Sequence, residues 1–266
     1  MAPDPRLTPP PGHGKPARIA VGSAPLRKEP RPDASLLTEA VFGEPVTIFD
    51  AEEGWVHVQL GLDYYVGWLP EWAFDQSPAP THKVAVLRTF LFPGPDIKLP
   101  PKDVLSLGAR VAVVSEQGAF ALVAPFGYVP ARHIAPLAAA EPDFVAVAER
   151  FVGTPYLWGG KTSLGLDCSG LVQVALDAAG MSAPRDSDQQ EAALGTEVPF
   201  TRADALQRGD LVFWKGHVAI ARGDGTLLHA NAHHMMVAVE DAAEAIARIA
   251  EAGSEVTSIR RLQPSS

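Results

Sequence analysis

The chain has 266 residues, and its 47% hydrophobic and 20% charged residues exclude an intrinsically disordered protein and predict two or three small folded domains. Its net charge of −9 opposes nonspecific binding to nucleic acid and to anionic membranes, so neither is expected as a partner. The single cysteine excludes an intramolecular disulfide and any zinc site built from several cysteines.

The amino-terminal segment, residues 1–16, is rich in proline and small residues and predicts a flexible or extended lead-in. It lacks the basic stretch followed by an apolar stretch that marks a secretory signal. No apolar run in the sequence reaches the roughly 18–20 residues of a transmembrane helix. We therefore expect a soluble, cytoplasmic protein, and a chain that has lost a leader by processing is the alternative.

Residues 17–138 are predicted to form two copies of a small β-barrel. Short apolar runs rich in β-branched and aromatic residues are broken by glycine and proline, which is typical of strands. The predicted strands are residues 46–49, 55–60, 65–69, 84–87, 111–114 and 120–123. A segment that begins at Gly43 and ends in Gly67-Trp68-Leu69-Pro70 has a counterpart that begins at Gly108 and ends in Gly127-Tyr128-Val129-Pro130. The repeat places the first barrel at 17–78 and the second at 79–138.

The remainder, residues 139–266, predicts an α+β domain in which helices precede an antiparallel sheet. Pro142 is predicted to open a helix over residues 143–151, because proline is tolerated at the first helical position. A second helix is expected at residues 166–180, where apolar residues recur at spacings of three and four. The remaining predicted elements are strands at 211–214, 217–221 and 226–231 and a helix at 241–252.

Cys168 is the candidate nucleophile because it lies near the start of the second predicted helix. A thiol in the first turn of a helix lies near unpaired backbone N–H groups and the positive end of the helix dipole, which favour the reactive thiolate. The carboxylate of Asp167 opposes this effect, although it can serve as a helix cap or a substrate contact. A free cysteine is also commonly a small buried apolar residue, so position alone leaves both interpretations open.

A cysteine nucleophile needs a base and a group that orients the base, and His217 and His229 are the candidates. They lie on consecutive predicted strands. Because strand side chains alternate between faces, an odd-numbered turn such as Gly223-Asp224-Gly225 puts both histidines on one face, whereas a two-residue turn separates them. Taken singly, each histidine is more commonly a core or surface residue than a base, so the prediction depends on this turn.

A metal site is not expected, although His229, His233 and His234 lie close together in the sequence. The chain has no His-Glu-x-x-His helix, and neighbouring strand residues such as His233 and His234 cannot both face one ion. No cofactor is expected either.

Two resemblances to known families rest on these motifs. The endings Gly67-Trp68-Leu69-Pro70 and Gly127-Tyr128-Val129-Pro130 resemble the last strands of bacterial SH3-like domains. The downstream motifs resemble the NlpC/P60 family of papain-like cysteine peptidases. These motifs are Gly153-Thr154-Pro155-Tyr156-Leu157-Trp158-Gly159-Gly160, Asp167-Cys168-Ser169-Gly170-Leu171-Val172, Gly209-Asp210-Leu211-Val212-Phe213-Trp214, Gly216-His217-Val218-Ala219 and His229-Ala230. The resemblance implies a papain-like catalytic domain preceded by two SH3-like barrels.

The NlpC/P60 resemblance implies hydrolysis of a peptide bond in bacterial cell-wall stem peptides. It implies that Cys168 is the nucleophile, that His217 is the general base and later protonates the leaving amine, and that His229 orients His217. It also implies that Tyr156 lies near the oxyanion, with the backbone N–H of Cys168 as a second donor.

The combination with SH3-like barrels resembles the γ-D-glutamyl-L-diamino acid endopeptidases, which cut L-Ala-γ-D-Glu-diamino acid peptides and select a free N-terminal L-alanine. In these enzymes an SH3-like domain closes one end of the cleft. The implied substrate contacts are Tyr65 and Glu44 from the first barrel and Trp158, Asp167, Ser169, Asp186 and Ser187 from the catalytic domain. We therefore expect a cytoplasmic enzyme that recycles soluble stem peptides of peptidoglycan.

Three alternatives stay open on the sequence. A secreted hydrolase of intact peptidoglycan would share the fold, and a non-catalytic module would bind wall fragments if the three catalytic side chains were disengaged. An acyltransferase on the related fold would need a lipid-facing surface, which nothing in the sequence indicates. Digestion of intact cell-wall sacculi and cleavage of a defined tripeptide distinguish these functions.

Overall fold

A computed structural model describes residues 3–75, 77–125 and 127–262 of the chain. The chain forms two compact units, residues 1–139 and residues 140–266, a division one residue beyond the predicted start of the catalytic domain. The structure is mostly antiparallel sheet with few helices, which confirms the predicted α+β fold class. Within the described ranges, no helix has both the length and the apolar character needed to cross a membrane.

The amino-terminal unit begins with a seven-stranded antiparallel sheet in the order β3-β2-β6-β5-β4-β1-β7. Its strands are β1 (Lys15–Ile19), β2 (Ser23–Arg27), β3 (Leu36–Val41), β4 (Pro45–Glu52), β5 (Trp55–Leu60), β6 (Val66–Pro70) and β7 (Phe74–Asp75). Alternation of side chains builds its core, since Val56, Val58 and Leu60 of β5 are buried and the residues between them are partly exposed. This sheet spans the predicted first barrel.

The lead-in before β1 packs against this barrel. The backbone carbonyl of Arg6 accepts a hydrogen bond from the Val66 N–H at 2.8 Å, and that of Leu7 accepts one from the Gln59 side chain at 2.9 Å. The Leu7 side chain also contacts the apolar core of the barrel. The lead-in therefore contacts the barrel and includes a turn closed by the Leu7 N–H donating to the Asp4 carbonyl at 3.1 Å.

The second half of this unit contains a five-stranded sheet in the order β13-β12-β11-β8-β14 and a two-stranded hairpin of β9 and β10. The strands are β8 (His82–Val84), β9 (Arg88–Leu91), β10 (Asp103–Ser106), β11 (Arg110–Gln117), β12 (Phe120–Ala124), β13 (Gly127–Pro130) and β14 (Ile134–Pro136). Val84, Leu105, Val111 and Val129 form part of a separate apolar core. This second core accounts for the second copy of the repeat.

The repeat has a physical basis in two equivalent turns. Gly43 precedes β4 with a φ angle of +74°, and Gly108 precedes β11 with a φ angle of +84°. Only glycine adopts this backbone region without strain, so the turn requires the same residue in both copies. The following strands β4 and β11 then pair with β5 and β12 in the same antiparallel way.

The two barrels share a seam, formed by Gly22, Phe42, Gly43, Asp103 and Arg110. The Arg110 N–H donates to the Phe42 carbonyl at 2.8 Å, and the Gly22 N–H donates to the Asp103 carboxylate at 2.7 Å. A Cβ atom at Gly43 would overlap the Arg110 carbonyl. Phe42 belongs to the first barrel, but it is buried in the core of the second.

The carboxy-terminal unit packs helices on a six-stranded antiparallel sheet in the order β17-β22-β18-β19-β20-β21. Its elements are α1 (Phe144–Glu149), β15 (Lys161–Thr162), β16 (Gly165–Leu166), α2 (Cys168–Ala178), α3 (Ser187–Ala193), β17 (Thr196–Val198), β18 (Asp210–Trp214), β19 (His217–Ala221), β20 (Thr226–Asn231), β21 (Met236–Asp241), α4 (Ala242–Glu251) and β22 (Val256–Arg261). α2 packs against β19 and β20, and α4 packs against β20 and β21. The central strands are almost fully buried, which explains their nearly continuous apolar sequence.

Two predicted helices begin later than expected. Asp143 caps α1, with its carboxylate accepting the N–H groups of Val145 and Ala146, so Pro142 lies before the helix instead of in its first turn. Leu166 belongs to β16, and α2 begins at Cys168. The second shift makes the cysteine the first residue of its helix.

Candidate active site

Cys168 is held at the tip of α2 by the residues on either side of it. The Asp167 carboxylate caps the helix by accepting the Gly170 N–H at 2.7 Å. Gly170 is required by space, because a Cβ atom there would overlap the carbonyl oxygen of Gly160. The motif Asp167-Cys168-Ser169-Gly170 therefore fixes the thiol at the start of the helix.

Burial raises the pKa of the Cys168 thiol to about 12, and the Asp167 carboxylate adds to this effect. The backbone N–H groups of Val218 and Ser169 lower this pKa by donating to the sulfur. The stabilisation expected from a helix tip is thus present, but desolvation outweighs it, and the expectation of a stabilised thiolate is wrong for the resting site. The thiol keeps its proton at neutral pH, so it needs a base when it reacts.

His217 and His229 lie on one face of the sheet, as the catalytic interpretation requires. β19 and β20 are antiparallel, and the Arg222 N–H donates to the Thr226 carbonyl, which leaves a three-residue turn of 223–225. This is the odd-numbered turn predicted from the sequence. The His217 Nε2 and His229 Nδ1 atoms are 2.8 Å apart, a hydrogen bond between the two rings.

The His217 ring is neutral at physiological pH. Burial, together with the charges of His229 and Arg248, lowers its pKa to about 3. The ring also lies against Trp214, at 5.6 Å between ring centroids. With Val218 donating to the Cys168 sulfur, the start of β19 meets the tip of α2, and the resting site combines a neutral thiol with a neutral imidazole.

Two further residues extend the pair of histidines and were not predicted. The His229 Nε2 atom lies 2.6 Å from the Glu240 Oε1 atom, and one Arg248 Nη2 atom lies 2.7 and 2.8 Å from the two oxygens of Glu240. We call His217, His229, Glu240 and Arg248 the histidine relay. Hydrogen bonding by His229 and Arg248 lowers the pKa of Glu240 to about 2, so its carboxylate is ionised.

Tyr156 is positioned by the strand that leads into α2. Its backbone forms a bridge with Leu166, two residues before Cys168, and its N–H donates to the Met235 carbonyl at 2.9 Å. Burial raises the pKa of Tyr156 to about 12, and the charges of Cys168 and Asp167 add to the effect. The phenol therefore keeps its proton and is available as a hydrogen-bond donor; its role at an oxyanion stays a prediction.

Arg185 contacts both Asp167 and Ser169, two residues that are predicted to contact substrate. The Arg185 guanidinium forms a two-pronged ion pair with the Asp167 carboxylate at 2.7 and 3.0 Å, and it donates to Ser169 Oγ at 2.9 Å. Arg185 is 1% exposed. This arginine was not singled out from the sequence, so its role as the counterion of Asp167 was missed.

The other predicted contacts in this unit lie around the same pair. Asp186 caps α3 and Ser187 is its first residue, while Trp158 is 68% exposed. The Gln190 side chain, also on α3, donates to the Ser169 carbonyl at 2.9 Å. α3 is therefore anchored to the start of α2, and Trp158 presents a large apolar surface next to Gly159, whose N–H donates to Asp167 at 2.8 Å.

The two residues predicted in the first barrel are both buried. Tyr65 is 4% exposed and belongs to the apolar core of that barrel, so it packs inward, whereas its neighbour Tyr64 is 62% exposed. The Glu44 carboxylate accepts the Val41 N–H at 3.1 Å in the turn before β4. Their contributions to substrate binding stay predictions.

The three histidines that lie close together in the sequence make different contacts. His229 belongs to the histidine relay, while His234 Nδ1 lies 3.1 Å from Asn231 Oδ1 and His233 packs edge-on against the His234 ring. Across the described part of the chain, no three His, Cys, Asp or Glu side chains are grouped closely enough to hold a metal ion.

Comparisons with known proteins find a family match in each of the two units. The NlpC/P60 family model matches residues 153–251, and the model of the bacterial dipeptidyl-peptidase Sh3 domain matches residues 26–74. The first match contains Cys168, His217, His229 and Glu240. The second lies within the first barrel.

Two curated relatives span most of the chain. A gamma-D-glutamyl-L-lysine dipeptidyl-peptidase of Bacillus subtilis (strain 168) is 31% identical over 224 residues, which is 74% of this chain and 73% of the relative. A protein of the same name from Bacillus cereus (strain ATCC 10987 / NRS 248) is 29% identical over 228 residues, 73% of this chain and 67% of the relative. The crystal structure of an NlpC/P60 family protein from Bacillus cereus ATCC 10987 has the same fold, with a TM-score of 0.77 over 94% of this chain and 100% of that chain at 23% identity.

Proposed function

The chain belongs to the NlpC/P60 family of cysteine peptidases, and we propose that it cuts the γ-D-glutamyl–L-diamino acid bond of peptidoglycan stem peptides with a free N-terminal L-alanine. The observation that carries this proposal is the contact between the tip of α2 and the start of β19. There the backbone of Val218 reaches the buried sulfur of Cys168, and its neighbour His217, a neutral histidine, is hydrogen-bonded to a second histidine at 2.8 Å. A thiol, a base and a group that orients the base are what nucleophilic catalysis by cysteine requires.

The first half of the reaction forms an acyl-enzyme. The thiol proton of Cys168 passes to His217 Nδ1 as the sulfur attacks the γ-carbonyl carbon, and the carbonyl oxygen becomes an oxyanion. The Tyr156 hydroxyl and the Cys168 N–H donate to that oxyanion. His217 then gives its proton to the amine nitrogen of the diamino acid, the C–N bond breaks, and a thioester of L-Ala-γ-D-Glu remains on Cys168.

The second half hydrolyses this thioester. A water molecule attacks the thioester carbonyl while His217 takes one of its protons, and the C–S bond breaks. The proton on His217 returns to the sulfur, which restores the neutral thiol and imidazole. The net reaction consumes one water molecule and one amide bond, and it releases the dipeptide and the diamino acid or the rest of the stem peptide.

The lysine in the names of the two relatives supports a diamino acid on the leaving side, and the dipeptidyl-peptidase type supports a pocket that measures two residues from a free N-terminus. A ligand ammonium group needs acidic or hydroxyl partners. Ser169 follows the nucleophile directly, and Asp186 and Ser187 begin α3, which is anchored to the Ser169 carbonyl by the Gln190 side chain. Trp158, Asp167, Tyr65 and Glu44 complete the proposed set of substrate contacts.

We further propose that the substrate is a soluble peptide released from the wall and that the enzyme acts in the cytoplasm as part of peptide recycling. The net charge of −9 supports this, because it disfavours adhesion to an anionic wall. Digestion of purified sacculi at a rate comparable with that of a free tripeptide would contradict the proposal. Cell fractionation tests the location.

The deciding experiment incubates the purified chain with L-Ala-γ-D-Glu-L-Lys and identifies the products by mass spectrometry. We expect free lysine and L-Ala-γ-D-Glu, and no cleavage of the N-acetylated tripeptide. Cys168→Ala is the matched control for contaminating peptidases. Equal rates on the free and acetylated peptides would reject the selection of the N-terminus, and binding without cleavage by the wild-type chain would favour a non-catalytic module.

A further inference from the structure

We propose that Glu240 and Arg248 are positioning residues that determine which ring nitrogen of His217 is free to take the thiol proton. The inference takes its peptidase chemistry and its substrate from the proposed function. Neither residue lies in the motifs Asp167-Cys168-Ser169-Gly170 or Gly216-His217-Val218-Ala219. Both act through His229.

The geometry is a chain of hydrogen bonds across three neighbouring strands. His217, His229 and Glu240 lie on β19, β20 and β21, and consecutive members are joined at 2.8 and 2.6 Å. Asp241 ends β21 and caps α4 by accepting the N–H groups of Ala243 and Glu244. The helix that starts there carries Arg248 back to both oxygens of Glu240.

The protonation states follow from one end of this chain. An ionised carboxylate only accepts hydrogen bonds, so His229 Nε2 must carry a proton that it donates to Glu240. A neutral His229 then has its lone pair on Nδ1, and His217 Nε2 must donate to it. The lone pair of the neutral His217 is thereby confined to Nδ1, the nitrogen not used within the histidine relay.

Without a carboxylate at position 240, nothing in the histidine relay selects this tautomer. His229 could equally carry its proton on Nδ1 and donate it to His217 Nε2. The His217 lone pair would then be occupied within the histidine relay, and Nδ1 would carry a proton instead of accepting one from Cys168. The Glu240 carboxylate thus sets the direction in which the hydrogen bonds of the histidine relay are donated.

Arg248 balances the charge that Glu240 introduces. At His217, the negative charge of Glu240 raises the pKa, while the positive charges of Arg248 and of a protonated His229 lower it. Cys168 lies at the tip of α2, where its sulfur faces the backbone of Val218, and His234, whose Nδ1 is 3.8 Å from Glu240 Oε1, lies in the turn after β20. The ion pair with Arg248 therefore keeps Glu240 ionised and aligned with His229. Its two charges shift the pKa of His217 in opposite directions.

A purely structural ion pair would behave differently. The pair is partly buried, with 32% of the Arg248 side chain and 14% of the Glu240 side chain exposed, so a purely structural pair would contribute to stability. A structural role predicts equal effects of removing either partner and no change in the tautomer of His229. The proposed role predicts pH effects of opposite sign for the two partners.

The test compares Glu240→Gln, Glu240→Leu, Arg248→Lys and Arg248→Met in the full chain. Glu251→Gln, an exposed glutamate on the same helix, is the matched control. Nitrogen-15 NMR of histidine-labelled protein reports the tautomer, with His217→Gln and His229→Gln variants to assign the signals. The rate of Cys168 alkylation by iodoacetamide across pH reports the base without any peptide substrate.

In the wild type we expect His229 protonated on Nε2 at pH 7, and in Glu240→Leu a mixture of tautomers with kcat lowered about ten- to a hundredfold and KM nearly unchanged. The acidic limb of alkylation should move to higher pH in Arg248→Met and to lower pH in Glu240→Gln, while Arg248→Lys and Glu251→Gln should follow the wild type. An unchanged tautomer in Glu240→Leu, or shifts of the same sign for both partners, would overturn the proposal.

The outcomes separate this inference from the proposed function. If the wild type fails to cleave the tripeptide but the tautomer and alkylation shifts appear, the substrate is wrong and the positioning role stands. If the tripeptide is cleaved equally by the wild type and by Glu240→Leu, the positioning role is wrong and the function stands. Should Glu240→Leu fail to fold, Glu240→Gln and Arg248→Met still carry the test, because neither changes side-chain volume greatly.

Discussion

The backbone N–H of Val218 donates to the sulfur of Cys168, so the residue next to the base holds the nucleophile. This contact involves the main chain of β19 and not the ring of His217. Docking of the strand onto the tip of α2 therefore does not depend on the histidine side chain. Substitutions of His217 should report on chemistry with little disturbance of the nucleophile's position.

Replacing His217 with glutamine should remove the base and leave the fold intact. We expect kcat for the tripeptide to fall by about 10²–10⁴-fold with KM little changed, because a general base acts mainly in the transition state. Steady-state kinetics and circular dichroism provide the measurement. His13→Gln, an exposed position outside the site, is the control, and comparable losses in both variants would contradict the assignment.

Acid should destabilise the protein through His217. Its pKa is about 3 in the fold but near 6.5 in an unfolded chain, so between these values the unfolded state binds more protons. The contribution is fully retained above pH 6.5 and is lost as the pH falls toward 3. We expect the free energy of unfolding to fall by roughly 1–2 kcal/mol between pH 7 and pH 5.

Urea unfolding of the wild type and of His217→Gln at both pH values measures this loss. The variant should lose less stability on acidification than the wild type. Glu240, with a pKa of about 2 in the fold, contributes in the same direction only below its usual pKa near 4.5, so it does not affect this window. Parallel pH profiles for the two proteins would show that His217 titrates normally.

Replacing Arg185 with methionine should destabilise the carboxy-terminal unit. The Asp167 carboxylate would lose its buried counterion, and breaking a buried ion pair typically costs about 3–5 kcal/mol. The control is Arg202→Met, which removes a pair whose side chains are 74% and 64% exposed and should cost about 1 kcal/mol or less. Urea midpoints that match for the two variants would show that Asp167 finds another partner.

Replacing Tyr156 with phenylalanine should lower kcat by about 10²-fold or more, as for the loss of one oxyanion donor. The substitution removes only the hydroxyl, and the backbone contacts of Tyr156 with Met235 and Leu166 are retained. KM should change little. If kcat stays within twofold of the wild type, the tyrosine serves packing alone; Tyr128→Phe in the second barrel controls for unspecific effects.

The positions of the nucleophile and the two histidines were predictable because local patterns determine them. The apolar spacing of α2 and the glycine-containing turn at 223–225 are encoded by neighbouring residues, and they place Cys168, His217 and His229. The same holds for the strands of both barrels, since alternation and turn glycines act over a few residues.

Glu240 and Arg185 were not predictable in the same way. Each finds its partner through packing between elements: Glu240 through the register of β21 on β20, and Arg185 through the chain segment that follows α2. The prediction of a stabilised thiolate at Cys168 was wrong for a related reason. The helix tip is visible in the sequence, whereas the burial that outweighs it arises only when α2 packs against β19.

The seam between the barrels has a consequence for how this architecture can be rearranged. Phe42 fills the interior of the neighbouring copy, and Gly43 admits no larger residue beside Arg110. Deleting the first barrel would leave a cavity in the core of the second barrel. Replacing the first barrel with an unrelated one would leave the seam of the second barrel uncovered. We therefore expect the two barrels to be gained or lost together in evolution. Shorter fragments for expression should contain both barrels, starting before Lys15, or neither, starting after residue 139.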